Sequence, residues 1–453
     1  MVVTRGMAPA KAPPGPRGYP VVGVFPAARR DPLGFFLESA RRYGDVVSMQ
    51  FGLRRVYLLS HPDDVRHVLQ DSQRVYGKSP TAARVRPLFG DSLTTVDGEH
   101  WRRQRRLIRP AFRPNSLLHC LSVVTATTAQ MLDRWQCIAE RGETVDMLSE
   151  MTDLTRTIIV KLVFGDVGHA EARALDQALQ HALRHADRRL WSPLGGLDIP
   201  TPGHRRFQAA LRTIDAFVST MVARAREDVP PAGTLLSALL DSHDDERGER
   251  MRDADLCQEL KAILVAGHTT TASALAWALY ALSTNSGARE SLRAELREVL
   301  DGRLPGAGDL SALPYTRMVI DEVLRLYPPT WVTARTPLHD DLVRGYRIAA
   351  GSIVLVSPFV THRHPAFWPE PERFNPERFL PERCRSHFAY FPFGGGPRSC
   401  VGSWLASVEM QLVLAMVAQR YEFGLVPGSR VGVDPGLTLR PNPGVPMILR
   451  QNH

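Results

Sequence analysis

The sequence predicts a mainly α-helical protein with a minor β-sheet region, organised around one long, buried central helix. Three observations carry this expectation. Apolar residues recur at helical spacing between residues 115 and 227, in stripes over 117–132, 147–164 and 207–222. Residues 262–288 contain no Asp, Glu, Lys or Arg, over a length that suits a helix buried nearly all round. The β-rich runs are short by comparison, at 46–51, 55–59 and 351–360.

Length and composition bound the rest. The chain has 453 residues, 44% hydrophobic and 23% charged, with a formal net charge of +9. That length admits two or three domains, but no linker or repeat divides it, so a single domain over residues 1–453 is expected. The cysteines (Cys120, Cys137, Cys257, Cys384 and Cys400) are odd in number, scattered and without CxxC spacing. Neither a disulfide framework nor a zinc site follows from them, and they suit a reducing, cytoplasmic setting. The positive charge admits nucleic acid, a membrane or an acidic partner. Arginines crowd one segment (Arg102, Arg103, Arg105, Arg106, Arg109 and Arg113), but aromatic side chains do not interleave with them as a base-stacking platform requires. Nucleic acid is therefore set aside.

In chain order, residues 1–23 form a leader with no apolar run that would make a signal peptide or an anchor. Its 13–23 portion, rich in proline, is expected to be stiff, extended and draped over the body. Only twelve residues precede that portion, too few to span a bilayer. Residues 45–59 read as a hairpin about Gly52, and a helix is expected to start at Pro62. The irregular stretch 77–97, with Pro80, Pro87 and Gly90, reads as a long functional loop. Trp101 and Arg105 are four apart and share a helix face, so an indole N–H and a guanidinium can hold one carboxylate there. The competing reading is a solvated basic helix with one buried tryptophan. Residues 115–227 are scaffold, breaking near Gly142, 193–203 and Pro230, and 241–253 reads as a solvated charged loop.

The uncharged stretch is long enough to cross a membrane. The cluster His268, Thr269, Thr270, Thr271 and Ser273 in its middle favours a core helix instead. Those hydroxyls either face a ligand or bond back to helix carbonyls. Further on, Glu322 and Arg325 lie three apart on a strongly apolar helix, 318–326, and form either an ordinary surface pair or a partly buried one. The helix leaves at Tyr327-Pro-Pro, and 351–360 and 390–393 form a β-rich approach to the last motif.

That motif is Phe393-Gly-Gly-Gly-Pro-Arg-Ser-Cys-Val-Gly402, ahead of an apolar helical run over 404–417. Three glycines and a proline cannot be mid-helix or mid-strand, so they make a tight loop whose backbone N–H groups can face one sulfur. A thiolate held there, near a helix N-terminus, has the properties of an iron ligand. The competing reading is a buried free cysteine beside a surface turn.

Phe393, Gly396, Arg398, Cys400 and Gly402 match the haem-binding signature F-x-x-G-x-R-x-C-x-G, and the chain resembles the cytochrome P-450 monooxygenases from about residue 13 to its end. Ala266-Gly-His-Thr-Thr-Thr271 resembles that family's oxygen-activation motif. Glu322-Val-Leu-Arg325 and Pro376-Glu-Arg-Phe379 are similar to its E-x-x-R and P-E-R-F motifs, and Trp101 with Arg105 is similar to its W-x-x-x-R. The resemblance implies haem b with Cys400 as the iron's axial ligand beneath the long central helix. Phe393 and Gly402 would support the haem loop, and Trp101, Arg105, Arg335 and Arg398 would reach the propionates. Gly267 would permit close approach to the porphyrin, and Thr270, beside Thr269, would hydrogen-bond the bound oxygen and relay protons. Thr269 departs from the family, which usually has an acid there, and His268 is expected to be structural rather than its substitute. Glu322, Arg325 and Arg378 would form a structural ion-pair triad, and Ala266, Trp331, Val332 and Thr333 would line the substrate pocket, with 77–97 covering it.

The function so implied is insertion of one oxygen atom of O2 into a C–H bond of a lipophilic molecule, a terpenoid or a fatty acid. Electrons would come from NAD(P)H through a separate ferredoxin or flavodoxin and its reductase. A soluble, monomeric protein of bacterial type is expected. Two other classes compete: a haem-thiolate enzyme using peroxide directly, and a non-catalytic protein that binds haem or a hydrophobic ligand.

Overall fold

The computed structural model describes residues 11–72, 74–190, 201–228, 233–243, 248, 250–383 and 386–452. It is mainly helical with small sheets, as the apolar periodicity predicts. The contacts group the chain into two compact units, each assembled from separated segments. One comprises 1–81, 330–372 and 384–400, and the other comprises 82–329, 373–383 and 401–453.

The first unit is built on a five-stranded sheet in the order Val46–Phe51, Arg54–Leu59, Ile353–Val356, Thr333–Pro337, Tyr76–Lys78. The first two strands form the expected hairpin, in register Val46↔Leu59 to Phe51↔Arg54. The second and third run parallel, Val56 opposite Ile353. One face closes on Val46, Tyr57, Leu59, Val354 and Val356 with Leu69, Phe388 and Phe391. The leader lies along the first strand, with the Ser48 N–H donating to Pro14 O at 2.8 Å and the Val24 N–H to Gln50 O at 2.8 Å. It thus supplies main-chain partners to a strand that would otherwise be an unpaired edge. A helix does begin at Pro62, over Pro62–Arg66, where the His61 ring accepts from the Asp63 N–H. Residues 390–393 are not a strand, contrary to expectation. Phe391 is 3% exposed within the core, its N–H donates to His362 Nε2 at 2.9 Å, and Pro392 follows it, so the run serves packing rather than a ladder.

In the second unit the apolar stripes become the helices Cys120–Glu140, Met147–Phe164 and Pro202–Glu227. The uncharged run becomes the central helix, Asp253–Thr284, of 32 residues. By length and composition it could cross a membrane, but 72% of its apolar window is buried inside the protein, so it is a core helix as expected. Its neighbours are joined to it by polar and aromatic contacts as well as apolar ones. Thr155 Oγ1 donates to His268 O at 3.1 Å, Trp277 Nε1 donates to Leu439 O at 3.2 Å, and the Trp277 and Tyr327 rings stack at 4.1 Å. The Pro314–Leu326 helix ends where expected, at Tyr327 before Pro328 and Pro329. Of the loop 77–97, residues 76–78 are a strand and Arg86–Phe89 a short helix. The expected breaks at 193–200 and Pro230, residues 244–247 and 249 of the 241–253 loop, and Cys384 fall outside the described residues.

Candidate active site

The cysteine loop belongs to the first unit. Gly394 and Gly396 adopt φ of 74° and 66°, a region that L side chains rarely enter. At Gly395 an added Cβ would stand 2.2 Å from the Phe388 ring, and at Gly396 2.1 Å from Leu69 O. The loop is cross-tied by N–H groups of Gly394, Ser399 and Cys400 donating to Phe391 O, Gly396 O and Phe393 O at 2.9, 3.1 and 2.9 Å. Phe393 therefore anchors the cysteine through its own carbonyl. Cys400 itself is exposed, so the buried-cysteine reading fails. Arg398, partly exposed, closes the single 3-10 turn Gly396–Arg398.

Arg335 sits mid-strand in the same unit, its backbone paired to Lys78 and Val354. Its Nη1 donates to Thr333 Oγ1 at 3.1 Å and to Ala334 O at 3.0 Å. Val332 and Thr333 keep accessible surface. Trp331 does not: it is 3% exposed, with its ring 6.2 Å from that of Phe36. It therefore anchors the strand in the core and offers no surface to a substrate.

In the second unit, Trp101 and Arg105 share a face of the Gly98–Ile108 helix, which Asp97 caps by accepting from the Gly98 N–H at 2.7 Å. Trp101 is 9% exposed and Arg105 half-buried. On the central helix, Ala266 is exposed and Ile263, Gly267, Thr269 and Thr270 are half-buried, a local opening in an otherwise covered cylinder. The hydroxyls of Thr269, Thr270 and Thr271 donate back to Val265 O, Ala266 O and Gly267 O at 3.4, 3.0 and 3.4 Å. Space beside Gly267 is claimed by the protein: a Cβ there would stand 2.9 Å from Ile159 Cδ1. A glycine there suits the packing of the central helix on Met147–Phe164. By contrast, a Cβ at Gly402 would meet only Phe112, at an ordinary 3.7 Å.

His268 is 2% exposed and its Nδ1 lies 2.7 Å from Leu264 O. Burial pushes its pKa down to about 4, against a smaller upward pull from that carbonyl. It is neutral at physiological pH and cannot replace the missing acid at 269.

The triad does assemble. Glu322 and Arg325 are both fully buried, with Arg325 Nε 2.6 Å and Nη2 2.8 Å from the two carboxylate oxygens. Arg378 Nε stands 3.4 Å from Glu322 Oε1, and the Asn375 N–H donates to the same oxygen at 2.8 Å. The surface-pair reading is excluded by that burial.

Sequence reasoning passed over several buried ionisable residues. Asp255, Glu259 and Lys261 are 7%, 2% and 4% exposed on the central helix, and Glu409 is 3% exposed on the Ser403–Arg420 helix. A signal existed for the first three: charges directly abutting an uncharged helical run are candidates for buried partners.

In the first unit, an exposed thiol on a tied loop, with the Arg335 and Arg398 guanidiniums, is of a kind that suits an iron porphyrin; in the second, Trp101 and Arg105 share a helix face that suits a carboxylate. The profile of the cytochrome P450 family matches residues 13–445. The chain is 36% identical over 439 residues to cyclooctatin synthase of Streptomyces melanosporofaciens, covering 94% of this chain and 93% of that protein. It is 36% identical over 421 residues to cyclooctat-9-en-7-ol 5-monooxygenase of the same organism, covering 91% and 90%. The crystal structure of the cytochrome P450DA heme domain matches with a TM-score of 0.89 at 25% identity, over 98% of each chain. The chain therefore belongs to the cytochrome P450 family and is an oxidoreductase of the monooxygenase kind.

Proposed function

We propose that this monooxygenase hydroxylates a terpenoid, and that the Cys400 sulfur would hold the iron of haem b. The observation that carries the ligand assignment is the exposure of Cys400 on a loop strapped at three N–H groups. Two relatives support the substrate class, one of them named as a 5-monooxygenase of cyclooctat-9-en-7-ol. The accessible turn of the central helix agrees, since Ile263, Ala266, Gly267, Thr269 and Thr270 carry no charge that a fatty acid carboxylate could pair with.

Bound haem supplies the activation of O2 and the oxygen transfer to carbon. Cys400 would keep its place as ligand because the loop is tied by its own main-chain hydrogen bonds. Arg335, Arg398, Arg105 and Trp101 are assigned to the two carboxylates, where guanidiniums stay charged at any working pH. Thr270 donates its proton to Ala266 O at rest and keeps lone pairs on Oγ1 to accept another. Turning about χ1, it can pass one proton on and take up the next. With Thr269 at the usual acid position and His268 neutral, those protons come from water rather than from a side-chain acid on this turn.

Electrons are assigned to an external ferredoxin or flavodoxin fed from NAD(P)H. Of the arginines in the 101–113 segment, Arg103 is engaged with Asp255 and Arg102 with Glu99, while Arg109 and Arg113 are exposed and offer an acidic partner a face. Reduction that slows steeply with salt supports this docking, and salt-independent reduction counts against it.

The test is Cys400→Ala. It should abolish the thiolate-type absorption of the reduced carbon monoxide adduct, and survival of that absorption would remove Cys400 as ligand. Terpenoid alcohols should displace iron-bound water in a spectral titration where fatty acids do not.

A further inference from the structure

The central helix begins with charges that its own packing does not require. Asp255, Glu259 and Lys261 are all buried, and each reaches the segment 87–103. Glu259 accepts the Leu93 N–H on both oxygens, at 2.9 and 3.2 Å. Lys261 Nζ donates to Pro87 O at 3.2 Å and pairs with Asp215 of the Pro202–Glu227 helix at 2.8 Å. Asp255 pairs with Arg103 at 3.6 Å, and Arg252 binds both its oxygens at 2.9 and 3.0 Å. Gln258 adds a weaker tie, accepting the Asp91 N–H at 3.3 Å, and a Cβ at Gly90 would collide with it.

Geometry makes these contacts a clamp. Asp255 and Glu259, four apart, share one face, whereas Glu259 and Lys261, two apart, point to opposite flanks. The stretch 87–93 is therefore gripped from both sides of the helix, and 103 is tied one turn further back. Asp97 and the first turn of the Gly98–Ile108 helix, with Trp101, lie between these anchors, and Arg105 follows the last of them by two residues. Lys261 precedes Ala266 by five residues, about 7.5 Å along the helix axis.

We propose that Asp255, Glu259 and Lys261 are positioning residues, setting where Trp101 and Arg105 stand relative to the accessible turn Ala266–Thr270. The proposal rests on the reading of Trp101 and Arg105 as holders of the haem carboxylates. Buried ion pairs contribute little net stability compared with apolar packing, and their best-attested use is to set register. A polar clamp has one register, because a carboxylate must meet an N–H and an ammonium a carbonyl. An apolar contact would slide.

The experiment compares the haem-loaded wild type with Lys261→Met, which preserves length and leaves the half-exposed Asp215 to water. Glu259→Gln, which keeps an acceptor for Leu93, is the milder second variant. Hydrogen exchange and haem release to an acceptor globin are measured on each. Lys261→Met should speed exchange of the 87–97 amides about tenfold, as expected for one lost charged hydrogen bond. Haem release should speed in proportion, while amides of the strands 46–59 stay unchanged. Glu259→Gln should lie between the two. Uniformly faster exchange would mean general destabilisation and overturn the clamp. Faster exchange at 87–97 with unaltered haem release would overturn its positioning role. Failure of the parent reading shows separately, as Trp101→Phe and Arg105→Gln releasing haem no faster than wild type.

Discussion

The buried pair Glu322–Arg325 and the partly exposed pair Arg317–Asp321 stand on the same helix at similar separations, so removing each contrasts a fully buried network with a pair open to water. Arg317 Nε lies 2.9 Å from Asp321, with side chains 45% and 14% exposed, whereas both members of the inner pair are fully buried. Water and salt screen the outer pair, and its deletion should cost about 0.3–0.5 kcal/mol. At the inner pair, Glu322→Ala removes the acceptor of both Arg325 nitrogens and the counter-charge of Arg378, with little water to replace it. The expected cost is at the upper end of the range for a broken buried pair, about 5 kcal/mol. Arg325→Ala should cost less, about 3 kcal/mol, because Glu322 keeps the Asn375 N–H and Arg378. The double variant discards both charges together and should fall short of the sum by about 2 kcal/mol or more. Urea midpoints of the haem-loaded variants, read by far-ultraviolet circular dichroism, give these differences. If both pairs cost the same, or if the inner pair is additive, the reasoning that low-dielectric burial makes this triad cooperative is wrong.

Two further outcomes follow from single residues. Burial pushes the Glu409 carboxyl up to about 8, from an ordinary 4.5, so the folded chain holds a proton that the unfolded chain releases. A raised acid contributes its stability below pH 4.5 and loses it as pH rises to about 8, at up to ~1.4 kcal/mol per pH unit. Wild type should therefore lose ground to Glu409→Gln between pH 5 and 8 and then run parallel to it, whereas parallel curves throughout would contradict the burial argument. Thr270→Ala should keep haem and its spectrum while diverting reducing equivalents to peroxide, and unchanged coupling of oxygen to product would mean protons bypass Oγ1.

Much of this was legible in the residues because the features are local. The hairpin about Gly52, the helix end before Pro328 and the glycine turn ahead of Cys400 each follow from backbone chemistry within ten residues. The central helix was legible because a run without charges has few other places to go. The reading of 390–393 as β-rich failed because Phe391 is held by a core that the local pattern does not contain. Trp331 was misplaced for a related reason: an aromatic after a proline pair suits a pocket wall as well as a core, and only Phe36, distant in sequence, decides between them.

By itself, the sequence determined which side-chain types stand at which spacing: a cysteine in a glycine turn, a tryptophan and an arginine four apart, and no acid at position 269. These are properties of side-chain type and spacing, and folding does not alter them. Tertiary structure alone decided their setting. It showed that Glu322 and Arg325 are fully buried, that burial pushes the His268 pKa down, that Gly267 packs against Ile159, and that three charges at the start of the central helix contact the segment bearing Trp101 and Arg105. The physical reason is that burial, and with it the strength of every charge and hydrogen bond, depends on residues brought together from far along the chain.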